Sequence, residues 1–179
     1  MFRKRIVILL SLLVMTVFVL GGCTQPETGP AGNGDSEDPV GGEVAEAVEI
    51  GEWSIEIEVA DKEAVNFTNV EAADLGPVEF TAAQKDGDEF KETQTFTGIL
   101  LEDLLEYVGV TDFTVISVEG ADGSSREMPP DRLALETTGI AWAVDGKSLD
   151  ADCGPVQFIA DQRGPKWWIK QVTKIFIVE

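Results

Sequence analysis

Short strand-like runs, separated by turns that contain glycine, constrain the fold of this 179-residue chain more than any other feature. Trp53 to Val59 reads WSIEIEV and alternates apolar with acidic residues, which is typical of a strand with one buried face. Asp86-Gly87 lies between two further runs, Val78 to Gln84 and Glu89 to Gly98, and Asp-Gly in that position predicts a hairpin.

The rest of the chain continues this pattern. Phe113 to Glu119 opens a second predicted hairpin, Ile140 to Val144 precedes another Asp-Gly turn, and the runs PVQFIA and QVTKIFIV are the last two predicted strands. We therefore expect about eight strands, joined mostly by hairpin turns. This arrangement predicts the α+β class, with mixed, mainly antiparallel β-sheets and a few short helices, rather than a doubly wound fold.

Two segments show helical signals. TNVEAADLG offers Thr68 or Asn69 as the N-terminal cap and Gly76 as the stop. ILLEDLLEYVG ends at Gly109 and places four apolar residues on one face, namely Leu101, Leu104, Leu105 and Val108. PPDRLALE predicts a third, shorter helical turn after Pro129 and Pro130.

The N-terminal segment has the layout of an export signal. Arg3, Lys4 and Arg5 precede an apolar run from Ile6 to Leu20, which is shorter than the roughly 20 residues of a membrane span. The run ends in Leu-Gly-Gly-Cys at Cys23, which resembles the bacterial lipoprotein signal. That resemblance implies a signal peptide at residues 1–22, diacylglycerol on the Cys23 sulfur, and often a further acyl chain such as palmitate. We expect a lipid-anchored protein on the extracytoplasmic face of the cell membrane.

Residues 23–47 are rich in proline, glycine, serine and acidic residues and show no apolar periodicity. This composition predicts a disordered tether, so that the folded domain occupies residues 48–179.

Charge and composition exclude several classes of function. The chain has 33 acidic and 13 basic residues, a net charge of -20 and no histidine. Such a charge opposes binding to nucleic acid, which depends on Lys and Arg at phosphates. The absence of histidine excludes a Ser-His-Asp triad and a histidine zinc site. No phosphate-binding loop, dinucleotide fingerprint or metal-spaced cysteine pair is present either.

Several segments, in order, resemble one known family. They are GILLEDLLEYVGV from Gly98, then ISVEGADGSSREMPPDRL, then an Ala-x-x-x-Asp-Gly-x-x-Leu hairpin from Ala141, and last a Gly-Pro-Lys-Trp turn. Together they resemble the molybdopterin-binding oxidoreductase domain of the sulfite-oxidase type, over about Trp53 to Glu179.

The resemblance implies mixed sheets and, in active members, a pyranopterin molybdenum cofactor. It implies that Gly164, Pro165 and Lys166 help to hold the phosphate and pterin, since backbone amides and an ammonium group suit an anion. The alternative for this turn is structural, with Trp167 and Trp168 packing against the sheet end.

This chain departs from the family pattern where the metal ligand is expected. Active members use a cysteine thiolate before the Gly-Ile-Leu-Leu helix, but Val78 to Gly98 contains no cysteine, and Gln84 or Lys85 lies about where we expect the ligand. Neither side chain replaces a soft thiolate. Gln157 replaces an expected arginine. Cys153 precedes a later strand and is not expected to reach the metal position.

The signal also bears on the cofactor. It contains no Arg-Arg pair and is typical of the general secretory route, which exports unfolded chains. Because molybdenum cofactor is inserted in the cytoplasm, an unfolded chain cannot carry it across the membrane. We therefore expect no catalytic residue, no metal and no bound molybdopterin.

The leading hypothesis is a lipid-anchored, non-catalytic module that binds an unknown small ligand or an envelope protein. The alternative is a molybdopterin-dependent oxidoreductase with an atypical metal site, for which Cys153 is the remaining thiol once Cys23 carries lipid. Cys153 otherwise serves as a buried small hydrophobe or pairs between chains. A third hypothesis is a structural partner in an envelope complex, anchored by Trp167 and Trp168.

Overall fold

The computed structural model describes residues 49–179 of the chain. Within this range it contains twelve β-strands, two α-helices and two short 3₁₀ turns. The predicted signal peptide, Cys23 and the predicted tether all lie outside the described residues. No helix within residues 49–179 is long and apolar enough to cross a membrane.

The first sheet has five strands, which are β1 (Ser54–Val59), β2 (Val65–Thr68), β7 (Val115–Gly120), β8 (Ser125–Met128) and β12 (Val172–Val178). Their order is β2-β1-β12-β7-β8, and only the central β1–β12 pair is parallel. The alternation predicted for β1 is confirmed, because Ile55, Ile57 and Val59 are buried while Ser54 and Glu56 are exposed.

The second sheet is antiparallel throughout and contains β3 (Val78–Ala82), β6 (Gln94–Leu100), β9 (Gly139–Val144), β10 (Lys147–Ser148) and β11 (Gln157–Ile159). The order is β10-β9-β6-β3, and β11 also pairs with β9. Glycine is required where β6 meets β9, since a Cβ on Gly98 would lie 1.9 Å from the Ile140 carbonyl oxygen.

The hairpin predicted around Asp86-Gly87 is confirmed, but its strands pair in two separate pieces. The outer piece is β3 with β6, and the tip is formed by β4 (Lys85–Asp86) and β5 (Glu89–Phe90). Between the two pieces, the Lys91 N–H donates to the Gln84 carbonyl oxygen at 2.8 Å. Both residues are thus placed at the neck of the hairpin, and both contribute side chains to the cleft described below.

Both predicted helices are confirmed. Helix α1 (Asn69–Leu75) begins after Thr68, whose hydroxyl accepts from the Val70 N–H, while Glu71 accepts from the Thr68 N–H in a capping box. Helix α2 (Leu101–Tyr107) buries Leu101, Leu104 and Leu105, as its spacing predicts.

One continuous hydrophobic core collects buried side chains from both sheets and both helices. The core contains a cluster of three aromatic rings. The ring centroid of Trp53 lies 5.9 Å from that of Phe67 and 5.9 Å from that of Trp142. The α+β class with mixed, mainly antiparallel sheets is therefore confirmed. The strand β2 and the parallel β1–β12 pairing were not predicted, because neither produces a signal in the local sequence pattern.

Candidate functional site

A cleft of about 260 Å³ opens beside the second sheet. We call it the cleft, and its lining residues are Gln84, Lys91, Gln94, Phe96, Val144, Leu149, Asp150, Cys153, Gln157, Trp168 and Lys170. Apolar side chains from β6 and β9 contribute to its wall. Polar side chains come from the hairpin neck, the first residues of β6 and β11, the loop before β11 and the segment before β12. These segments are far apart in sequence, so the fold alone assembles the site.

The loop that carries Cys153 is held by hydrogen bonds on both sides. Asp150 Oδ1 accepts from the backbone N–H groups of Asp152 (3.0 Å) and Cys153 (2.8 Å). On the other side, the Gln171 N–H donates to the Cys153 carbonyl oxygen at 3.0 Å, and Gln171 Nε2 donates to the Ala151 carbonyl oxygen at 2.9 Å. The position of the Cys153 thiol is therefore defined by the surrounding backbone.

Gln171 adopts a backbone conformation that is unusual for its residue type. Its φ angle of 48° lies in the left-handed region, which costs a non-glycine residue about 1–2 kcal/mol. Its hydrogen bonds to the Cys153 loop offset this cost. Lys170 adds a third link to the loop, because its Nζ donates to Asp152 Oδ2 at 2.7 Å.

The charges around the cleft shift three pKa values. The pKa of the Cys153 thiol is raised, mainly by burial and further by Asp150 and Asp152. The Lys170 ammonium group opposes this shift. The hydrogen bond from the Cys153 backbone lowers the pKa of Asp150. The hydrogen bond to Asp152 raises the pKa of Lys170. At neutral pH the cleft therefore presents a thiol and an ammonium group.

The Gln157 side chain lines the cleft and is only 7% exposed. The indole N–H of Trp168 is fully buried and has no hydrogen-bond partner within residues 49–179. The indole N–H groups of Trp53 and Trp142, which do not line the cleft, are unpaired in the same way. An unpaired indole is therefore a feature of the core and does not mark a ligand in the cleft.

A second depression of about 310 Å³ adjoins the cleft and shares Trp168 and Lys170 with it. We call it the basic groove, and it is lined by Asp122, Ser124, Ser125, Arg126, Pro165, Lys166, Trp168, Ile169 and Lys170. The Arg126 guanidinium lies 5.6 Å from the Trp167 ring centroid and donates to the Lys166 carbonyl oxygen at 3.3 Å. Arg126 thus covers one face of Trp167.

The two adjoining depressions concentrate positive charge on an acidic protein. Lys91, Arg126, Lys166 and Lys170 line them together with Asp122 and Asp150, and Asp152 pairs with Lys170 at 2.7 Å, so four cations face three carboxylates. The chain as a whole carries a net charge of -20. This surface is therefore where the domain can attract an anion.

A third depression, of about 420 Å³, is lined by Thr81, Ala82, Ala83, Phe90, Thr93, Thr137, Asp161 and Gln162. Its charged residue, Asp161, already accepts from the Ala83 N–H at 2.8 Å and the Thr137 hydroxyl at 3.0 Å. Asp161 therefore joins the chain segments around it and has little capacity left for a ligand.

The structure separates the residues that the family resemblance singles out. Gly164 precedes the 3₁₀ turn Pro165–Trp167, and Pro165 and Lys166 line the basic groove rather than the cleft. Gln84 and Gln157 line the cleft.

Cys153 requires a correction. The sequence placed it away from the expected metal position, but it lines the same cleft as Gln84 and Gln157. The reason is that β11 folds back on β9, which brings the loop before β11 opposite the hairpin neck. Sequence reasoning also missed Lys91 and Lys170, since an isolated lysine on a strand-rich chain has no distinctive signal.

The two tryptophans differ in exposure. Trp168 is 7% exposed and packs edge-on against Phe96, with ring centroids 5.6 Å apart. Trp167 is half-buried under Arg126. Neither ring projects freely from the surface as an interface anchor does.

Comparison with known proteins identifies the same architecture. A protein-family model described as the oxidoreductase molybdopterin binding domain matches residues 42–179. The crystal structure of the sulfane dehydrogenase SoxCD from Paracoccus pantotrophus is similar, with a TM-score of 0.58 and 18% sequence identity. The match covers 70% of this chain but only 38% of the SoxCD chain, so the matched region is well under half of that protein. None of the curated proteins is similar enough to count as a match.

Proposed function

Because the chain belongs to the oxidoreductase molybdopterin-binding domain family, we propose that it uses this fold as a non-catalytic module that binds a small anionic ligand in the cleft. The observation that carries the proposal is the composition of the cleft. Gln84, which with Lys85 lies about where we expect the metal-binding thiolate, lines the cleft together with Lys91, Lys170 and the Gln157 amide.

The residues of the cleft do not fit a molybdenum centre. Gln84 offers an amide, which is a poor substitute for a soft thiolate ligand. The thiol of Cys153 has a raised pKa, which opposes the deprotonation that metal binding requires. No group of three or more His, Cys, Asp or Glu side chains within residues 49–179 is placed to hold a metal ion.

The same residues suit an anion without a metal. Lys91 Nζ donates to Gln84 Oε1 at 2.7 Å, which leaves the amide nitrogen of Gln84 available as a donor. Gln157 supplies a further amide, while Phe96 and Leu149 supply apolar contact. A few polar groups converging on an apolar wall are typical of a binding site for a small ligand.

Metal analysis of the full chain, purified from its native membrane, tests the non-catalytic proposal. We expect molybdenum and tungsten well below one atom per chain. A matched preparation of a Gln84→Cys variant shows whether restoring a thiol at the hairpin neck restores metal. Stoichiometric molybdenum or tungsten in the unaltered protein overturns the proposal.

The competing function is a molybdopterin-dependent oxidoreductase with an atypical ligand, and one observation favours it. Cys153 lines the same cleft as Gln84 and Lys91 of the hairpin neck, so the cleft contains a thiol. If the native protein contains molybdenum that a Cys153→Ser variant loses, this second function is correct. If Cys153→Ser leaves metal content unchanged, Cys153 is not the ligand.

We also propose that lipid on Cys23 anchors the domain on the extracytoplasmic face of the membrane. The support is the Leu-Gly-Gly-Cys sequence after an apolar run, followed by an acidic segment with no apolar periodicity. In this arrangement the ligand reaches the cleft from the aqueous side. An envelope protein as partner is the alternative, and it requires Trp167 to become accessible when Arg126 moves away.

A further inference from the structure

The chain enters the folded domain at the end of the first sheet where the basic groove lies. β1 and β12 run parallel, with Glu56 opposite Lys174, so both strands begin at the same end of the sheet. β7 ends there too, since Gly120 pairs with Val172, and the turn that follows it leads into β8. The basic groove is lined by this turn and by the residues just before β12. The start of β1 and the groove therefore share one end of the sheet.

The residues ahead of β1 are long enough to reach the basic groove. β12 and β7 separate β1 from β8, which makes three strand spacings, or about 15 Å. Glu49, the first described residue, is exposed, while Ile50 packs against the core. We call residues 43–48, which lie outside the described residues, the acidic flank. An extended chain spans about 3.3 Å per residue, so these residues cover about 20 Å.

The acidic flank carries the charge that the groove attracts. Between Thr24 and Glu52 the chain has eight acidic residues and no basic one. The flank itself reads EVAEAV, with Glu43 and Glu46 separated by a valine and an alanine. Because the rest of the domain surface is acidic, the cations of the groove are where such a segment is attracted rather than repelled.

Two cations of the basic groove are available to a partner. Arg126 and Lys166 form no salt bridge within residues 49–179. Lys166 is exposed, and the Arg126 side chain is held beside it by the bond to the Lys166 carbonyl oxygen. The third cation, Lys170, is already paired with Asp152 at 2.7 Å. Pro165 adds exposed apolar surface next to Lys166.

We propose that the acidic flank docks in the basic groove of its own chain, with Glu43 and Glu46 beside Lys166 and Arg126. Exposed charge pairs are weak one at a time, but the direct connection to β1 keeps the flank at a high effective concentration beside the groove. The docked flank covers the two unpaired cations. An anion that binds at Lys166 therefore competes with the flank.

This inference goes beyond the proposed function and does not rest on it. The proposed function concerns the ligand of the cleft and fails if the native protein contains stoichiometric molybdenum or tungsten. The docking of the flank concerns the basic groove and is decided by the position of residues 43–48, whatever the metal content.

Cleavage by a glutamate-specific protease tests whether the flank is docked. The full chain, purified in detergent, is digested briefly, and intact mass gives the rates of cleavage after Glu46 and after Glu37. Glu37 precedes the flank, so the ratio of the two rates corrects for protease activity. We expect Lys166→Gln to raise the Glu46 to Glu37 ratio about 3- to 10-fold, because the flank loses its ammonium partner. Raising the ionic strength should raise the ratio of the native chain as well, since salt screens exposed charges.

A matched variant and a cross-linking experiment complete the test. Lys147→Gln removes the same charge from an exposed strand that lines none of the three depressions, and it should leave the ratio unchanged. A carbodiimide joins carboxylates to adjacent lysines, and we expect it to link Glu43 or Glu46 to Lys166. Mixing chains that contain ¹⁴N with chains that contain ¹⁵N distinguishes a link within one chain from a link between two copies.

Four results overturn the inference. They are a cleavage ratio that Lys166→Gln leaves unchanged, a ratio that Lys147→Gln raises equally, links from the flank to Lys147 as frequent as those to Lys166, and links that join two copies of the chain. The last result would make a second copy the source of the docked flank. If Lys166→Gln fails to fold, as circular dichroism would show, Arg126→Gln takes its place with the same expected increase.

Discussion

At the scale of single residues, two strand glycines show why β6 and β9 lie so close together. A Cβ on Gly139 would lie 2.3 Å from the Ile99 carbonyl oxygen, and Gly98 is more tightly enclosed. Real side chains do not approach backbone this closely, so any other residue forces the strands apart. This contact supports the apolar wall of the cleft, because Phe96 and Val144 lie on the same two strands.

We predict that Gly98→Ala lowers the free energy of unfolding by about 1–3 kcal/mol or more, because the added methyl group overlaps the Ile140 carbonyl. Denaturant unfolding followed by circular dichroism measures the change. Gly51→Ala is the matched control, since a Cβ there meets nothing within 4 Å. Equal stabilities for the two variants would contradict the packing described here.

A second prediction concerns the pH dependence of alkylation at Cys153. Burial, Asp150 and Asp152 raise the pKa of this thiol, so its rate with iodoacetamide should level off only above the pH at which a free cysteine does. Lys170→Gln should move this midpoint still higher, because the ammonium acts in the opposite direction. A midpoint below that of free cysteine would show that the charges around the thiol are wrongly assigned.

At the scale of elements, helix α1 depends on its first turn. The helix has only seven residues and buries Ala72 alone. Isolated helices of this length are unstable in water, so the capping box must contribute to holding the helix in place. Thr68 supplies the cap from the end of β2, which ties the helix to the edge of the first sheet.

We predict that Thr68→Ala lowers the free energy of unfolding by about 1 kcal/mol, because the Val70 N–H loses its acceptor. Thr68→Ser keeps the hydroxyl and should retain most of the stability. Urea unfolding of the two variants provides the comparison, and a Thr68→Ala midpoint equal to that of the native chain would show that the cap is dispensable.

The same cap should make stability depend on acidity. The hydrogen bond from the Thr68 hydroxyl lowers the pKa of Glu71. Because the folded-state pKa lies below the unfolded one, the contribution of Glu71 is present above the unfolded-state pKa and is lost as the pH falls through the folded-state value. Glu71→Gln should therefore reduce stability at neutral pH and flatten its acid dependence below about pH 5, the range in which an ordinary Glu titrates. An unchanged acid profile in Glu71→Gln would exclude this role.

At the scale of the whole molecule, the distribution of charge distinguishes the cleft side from the rest of the surface. Repulsion among carboxylates keeps an acidic protein soluble and apart from anionic partners. The lysine and arginine side chains that line the cleft and the basic groove are an exception to this acidic surface. The composition of the whole chain does not reveal them. Ligand choice is therefore a property of this surface, whereas solubility is a property of the whole chain.

We predict that Cys23 carries the lipid that attaches this acidic domain to the membrane. Metabolic labelling with an alkyne analogue of palmitate should mark the native chain and lose its signal in Cys23→Ser, because the sulfur and the new amino end are the acylated groups. Cys153→Ser removes the other cysteine and should keep the label. A label that survives in Cys23→Ser would place the lipid elsewhere.

Local patterns in the sequence determined the α+β class, both helices and the turns between strands. Alternation with period two marks β1, the i, i+3 and i+4 spacing marks α2, and Asp-Gly marks the hairpin tip, because each is a property of adjacent residues. The family resemblance also depended on such short segments, read in order.

Only the tertiary structure decided how distant segments meet. It paired β1 with β12 in parallel and placed Gln84, Cys153 and Gln157 around one cleft. The sequence placed Cys153 far from the site because contacts across long loops depend on sheet order and register, which no short stretch encodes. The chemistry available to this protein follows from that assembly: a thiol, two lysines and the amides of Gln84 and Gln157 line one cleft only once β11 folds back on β9.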